Sequence, residues 1–173
     1  MNKSNLLLVI LFFHFSCVDK QAEATLTSCY FQVEYVNYAW GFQHSGFTIT
    51  PAGEIYSFNK PAAWVFATEG KLSAADLKKN IAASVKADTL VNSSDLEYYR
   101  KLVLPASLGK LSQPVTQGAD IGGYSYRLFI PDSADSSPNF REVYLSKDGD
   151  IEQHNLSPEA AVIVVWLKNF RIH

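Results

Sequence analysis

Phe31, Val33 and Tyr35 alternate with Gln32 and Glu34, and a period of two belongs to a strand with one apolar, buried face. Such a strand cannot stand alone. Its apolar side needs further strands beside it and a second layer above it. The alternation predicts a strand over Leu26 to Tyr38. Gly46 to Phe58 reads as a hairpin: Phe47 and Ile49 lead into Thr50-Pro51-Ala52-Gly53, and Ile55, Tyr56 and Phe58 lead out. Proline presets φ for an early turn position, and glycine accepts the positive φ such turns use. Farther along, Tyr124 to Ile130 predicts a strand, followed by a polar loop from Pro131 to Pro138. Phe140 to Leu145 is its expected partner, turning at Asp148-Gly149, a strong hairpin dipeptide.

Two helices are expected between these strands. Ser73-Ala74-Ala75-Asp76 has capping-box spacing, flanked by Leu72 and Leu77 as a hydrophobic staple. Leu77, Ile81 and Val85 then recur at i, i+4 and i+8 as one apolar stripe. Ser94-Asp95-Leu96-Glu97 repeats the box and starts a second helix, which Pro105 should end or kink. Over 160–170, the β-branched run Val162-Ile163-Val164-Val165 could form a strand. Helix is the favoured reading, because Ser157-Pro158-Glu159 places a cap, a first-turn proline and an early acidic residue in helical order. Lys168 and Arg171 would then complement the far end of the helix dipole. The order β-β-β-α-α-β-β-α points to an α+β fold, an antiparallel sheet with helices packed on one face. Residues 26–173 read as a single globular domain.

Charge excludes one class of partner. Lys and Arg number 15 against 17 Asp and Glu, with no basic block, so nothing attracts nucleic acid. A hydrophobic content of 47 % with 9 Gly and 7 Pro argues against disorder.

The first residues do not belong to this fold. One positive charge at Lys3, the mostly apolar run Leu6 to Phe15 and a small residue before Cys17 stand in the order of an export signal. The run is too short to cross about 30 Å of hydrocarbon as a helix. The Ser16-Cys17 junction resembles that of bacterial lipoprotein precursors, in which the cysteine becomes the lipidated first residue of the mature chain. His14 departs from the aliphatic residue the family prefers three before the cysteine. The resemblance implies a signal over 1–16, a tether over 17–25 and a lipid on Cys17. The lipid would hold the domain to a membrane at the cell envelope, facing the periplasm or the cell surface. Ala22-Glu23-Ala24 offers a rival secretory cut that would free the chain. Loss of residues 1–16 removes only Lys3 from the charge balance, so the net charge moves from −2 to −3. Either cut leaves Cys29 without a cysteine partner and excludes a disulfide framework; Cys29 reads as a small buried hydrophobe.

Four features could carry chemistry. Tyr35 to His44 is rich in aromatics, and Asn37, Tyr38, Trp40, Gln43 and His44 are the ligand-binding candidates. They fall between two expected strands, where loops carry function, and flat rings beside amide and imidazole groups suit a protein or glycan ligand. The competing reading packs these rings into the core. Asp148, Asp150, Glu152 and Glu159 have partial EF-hand spacing, but Gln153 replaces the required glycine and Pro158 interrupts the segment. The mature chain's histidines, His44, His154 and His173, lack any HExxH or paired CxxC context, so no metal site is expected. Gly118 to Gly123 is neither a phosphate loop nor a dinucleotide turn, and GxSxG is absent, so no cofactor and no catalytic residue is assigned. A triad assembled from distant residues stays open.

Three classes remain. A noncatalytic envelope lipoprotein acting as a binding or interaction module leads. A lipoprotein inhibitor or immunity factor against an enzyme, and a hydrolase of envelope polymers, are the alternatives. A deep pocket joining His44 or His154 to a carboxylate would favour catalysis, and a flat aromatic face would favour binding.

Overall fold

The computed structural model describes residues 27–39, 41–132 and 139–170. The expected signal 1–16, Cys17, the tether 17–25, Leu26, Trp40, loop residues 133–138, Arg171 and His173 lie outside them. The strands are β1 (Tyr30–Asn37), β2 (Gln43–Ile49), β3 (Glu54–Asn59), β4 (Lys71–Ser73), β5 (Val85–Leu90), β6 (Val115–Thr116), β7 (Gly123–Pro131), β8 (Asn139–Gly149) and β9 (Ile151–His154). The helices are α1 (Ala74–Ala82), α2 (Ser93–Lys101), α3 (Val103–Ser107) and α4 (Pro158–Lys168). The strands form one antiparallel sheet in the order β5-β3-β2-β1-β7-β8-β9-β6, with β4 pairing the start of β8. This is the α+β architecture expected from the sequence, except that the helices do not share one face: α2, α3 and α4 pack on one side of the sheet and α1 on the other.

The alternation in β1 decides which side is which. Phe31 lies opposite Ile49 and Leu128, and Val33 lies opposite Phe47 and Tyr126, so these six share one face. Over that face pack Val103, Ala106, Ile163, Trp166 and Leu167 of α3 and α4, with Leu96 of α2, forming the larger core. Trp166 meets Phe31 edge-on at 5.1 Å and stacks on Tyr99 at 4.1 Å. Cys29 lies fully buried in this core. Burial pushes its thiol up to about 12 despite the nearby Arg100 charge. α1 serves the other face, where Leu77 joins Leu72 and Phe129 in a smaller cluster.

Local chemistry sets the helix starts. The Ser73 hydroxyl accepts the Asp76 N–H at 3.0 Å and donates to the Asp76 carboxylate at 2.7 Å, capping α1. Ser157 caps α4 in the same way, accepting from the Ala160 N–H, with Pro158 in the first helical position. Its β-branched run is helical because Ile163 and Val164 pack into the larger core, a tertiary gain that outweighs propensity. Lys168 reaches across to Asp148 at 2.7 Å.

Two helical expectations are corrected. α1 ends at Ala82, and Val85 opens the exposed edge strand β5 instead of extending the apolar stripe. α2 starts one residue before Ser94, and Asn92 is its cap, accepting the Ser94 N–H at 2.9 Å. Pro105 sits in the first turn of α3, where its missing N–H is not needed.

Candidate functional site

The sheet face turned away from α2, α3 and α4 is buried yet polar. Gln32 of β1 lies between Thr48 of β2 and Arg127 of β7, and Glu34 lies between Gly46 and Ser125. Gln32 donates to the Thr48 hydroxyl at 3.1 Å. Glu34 accepts from His44 Nε2 at 2.8 Å through one oxygen and from Arg127 through the other. Arg127 also donates to Glu142 of β8 at 2.7 Å, and its guanidinium lies 5.2 Å from the Tyr144 ring centroid. Side-chain exposure is 3 % for Glu34 and 6 % for both Arg127 and Glu142, so the network is a dry row of charges. Burial alone would raise the Glu34 carboxyl. The hydrogen bond from His44 and the charges of Arg127 and His44 outweigh it and hold the group below the ordinary glutamate range. Burial works against the Arg127 charge too, but Glu34, Tyr144 and Glu142 overcome it and keep the guanidinium charged.

Gly46 permits this packing. A Cβ there would come within 2.1 Å of the Val33 carbonyl oxygen and 2.6 Å of the Phe58 ring.

An aromatic wall closes the network at the His44 end. Phe58, Trp64, Phe66 and Phe42 surround the imidazole at 5.0, 5.0, 5.3 and 5.6 Å. Outside it, Tyr38 lies against Phe42 at 5.3 Å. The segment carrying Trp64 and Phe66 is fixed by the buried Asn80 of α1, whose side-chain amide exchanges two hydrogen bonds with the Val65 backbone at 2.9 and 2.8 Å. The inner rings are covered, but Tyr38, Phe42 and Phe66 stand 73 %, 45 % and 42 % exposed. Exposed rings held together over a rigid support mark an interaction face more often than isolated ones do.

The sequence candidates divide across this arrangement. Tyr38 and His44 come together through Phe42. Asn37 shapes the connection instead: its carbonyl oxygen accepts the Ala39 N–H at 2.8 Å, and its amide reaches the Tyr35 hydroxyl and the Asp120 carbonyl. Gln43 and His44 were expected in a loop, but β2 begins at Gln43, and His44 is buried. Sequence reasoning passed over Glu34, Arg127, Glu142, Phe42 and Phe66. Phe42 was within the aromatic segment, whereas Arg127 lies 93 positions from Glu34 and only strand pairing brings them together.

A second cluster lines a groove of about 340 Å³ between α4 and the β8–β9 hairpin. Ser146 donates its proton to Asp148, and its oxygen lies 3.0 Å from His154 Nδ1. With its hydroxyl hydrogen directed at the Asp148 carboxylate, the Ser146 oxygen can only accept from the imidazole. Nucleophilic activation needs the reverse, a serine proton passed to histidine. Ser146 is also buried. Asp148 and Asp150 are engaged by Ser146, Lys168 and the Ile121 N–H. Among the described residues no group of three or more His, Cys, Asp or Glu side chains is disposed to hold a metal ion. Nor is any described helix long and apolar enough to cross a membrane. No known protein family and no curated protein matches this chain.

Proposed function

We propose that this protein is a noncatalytic binding module of the cell envelope, held to its membrane by lipid on Cys17, with Tyr38, Phe42 and Phe66 as its contact face. The carrying observation is the exposed aromatic patch mounted on a buried, charge-paired network. The rings offer apolar area at small entropic loss, and the ion row behind them keeps their support rigid. His44 touches a carboxylate, but it is buried beneath the patch inside a ring of aromatic side chains, which supports a structural role. The Ser146 cluster lacks an activated nucleophile, so it lends the hydrolase reading no support. The Ser16-Cys17 junction supports the anchor.

The test uses the chain expressed with its own signal in a bacterial host, beside a Tyr38→Ser/Phe42→Ser/Phe66→Ser variant. Intact mass is expected to show a mature chain starting at Cys17 with acyl mass. Cross-linking in intact envelopes is expected to give a discrete adduct that the variant loses while keeping its thermal unfolding profile. An adduct pattern unchanged in the folded variant would refute the proposed face.

A further inference from the structure

The same sheet face carries a second feature at its opposite end. A cleft of about 490 Å³ lies between α1 and the sheet, within the size range of small-molecule sites. Its apolar walls include Tyr30, Tyr56, Leu77, Ile81 and Phe140. Tyr30 and Phe140 meet edge-to-face at 5.3 Å, which fixes one wall. The floor is the sheet itself, because Tyr56 of β3 pairs with Thr48 and Tyr30 of β1 pairs with Phe129, both on the polar-network face.

Few polar groups line the cleft, and most are already used. The Thr50 hydroxyl accepts the N–H groups of Ala52 and Glu54 at 3.3 and 3.2 Å within the β2–β3 turn. Glu54 is held by Lys86 at 2.5 Å and by the Tyr56 hydroxyl at 3.5 Å, so its charge is countered. The donors of Lys78 and Tyr30 are not used. Lys78 lines the cleft and makes no ion pair or hydrogen bond among the described residues, while its helix neighbour Lys79 pairs with Asp76. The Tyr30 hydroxyl likewise has no hydrogen-bond partner among the described residues.

From these observations we infer that the cleft binds a small amphipathic carboxylate, its ring or short apolar body against Tyr30, Tyr56, Leu77 and Phe140 and its anionic head at Lys78. An ammonium is a point donor that suits a carboxylate, and its attraction is strongest beside low-dielectric apolar walls. The aromatic lining favours a flat body over a branched one. A cationic ligand is disfavoured, since the lining carboxylate, Glu54, already has Lys86. The site is separate from the Tyr38 patch, and its occupancy does not depend on the proposed contact face.

The test is calorimetric titration of the full chain in phospholipid nanodiscs, with empty discs as the blank. A chain that carries no lipid is titrated in solution. The probes are naphthalene-2-carboxylate and its neutral carboxamide. The expected result is one saturable site per chain with about a tenfold preference for the carboxylate, the scale of one charge-assisted hydrogen bond. Lys78→Gln, a change on the exposed side of α1, should erase that preference, and Tyr30→Phe should weaken the carboxylate severalfold. Absence of saturable carboxylate binding would overturn the inference. So would equal affinity for both probes, or a preference that survives Lys78→Gln.

Discussion

Replacing Arg127 by methionine removes a cation that touches both Glu34 and Glu142. The substitution keeps most of the apolar stem and leaves two nearly unexposed carboxylates without a guanidinium, Glu34 beside His44 and Glu142 beside the Tyr144 hydroxyl. Breaking a buried pair from one side costs about 3–5 kcal/mol, because the remaining charge is stranded without solvent. Domains of this size hold about 5–15 kcal/mol in all, so the loss takes a large share of the stability. At roughly 2–4 °C per kcal/mol, the midpoint should fall by about 6–20 °C. Urea unfolding at pH 7 measures the effect as a lowered midpoint with an unchanged slope. The triple variant Arg127→Met/Glu34→Gln/Glu142→Gln should regain most of the loss, since it strands no charge. The pH dependence has a definite sign. In the native protein the Glu34 carboxyl lies below its ordinary value of 4.5, so its stabilisation is complete above that value and disappears as pH falls through the lower folded-state value. In Arg127→Met the His44 hydrogen bond remains but the Arg127 share of that depression is lost, so the gap between variant and native protein should narrow as pH falls below 4.5. A loss below about 1 kcal/mol at pH 7, the range of a solvated surface pair, would refute the dry network.

Further predictions concern packing and one thiol. Gly46→Ala should destabilise by about 1–3 kcal/mol in urea unfolding, because the new methyl meets backbone on one side and the Phe58 ring on the other. Asn155→Ala should lose about 1–3 kcal/mol, since the buried amide joins the Ala106 carbonyl of α3 to the Ser157 N–H at the start of α4. Cys29, its thiol raised to about 12 by burial, should resist iodoacetamide at pH 8 in the folded chain and react once urea unfolds it.

Much of the frame was legible because it depends on local rules. The Phe31–Tyr35 alternation, the Thr50–Gly53 turn, the Ser73 box and the Ser157-Pro158-Glu159 start each satisfy their own neighbours, and each appears in its expected element. What local rules missed depends on partners. β4, β6 and β9 have four residues or fewer and exist through pairing with β8 or with each other. Val85 fits a helical stripe, but the chain pairs it with Ser57 of β3. The site was half legible for the same reason. Tyr38 and His44 stood out as residue types, while Glu34, Arg127 and Glu142 look like ordinary strand charges until β1, β7 and β8 align them. Burial of His44 followed from β2 starting earlier than its apolar pattern announced.

Hydroxyl-radical footprinting tests the contact face most directly, comparing the chain in its own intact envelopes with the purified chain. The account predicts that Tyr38, Phe42 and Phe66 are oxidised in the purified protein and protected in the envelope. Tyr98 and Leu108, exposed elsewhere on the domain, should oxidise equally in both. Equal oxidation of Tyr38, Phe42 and Phe66 in the two preparations would contradict the account.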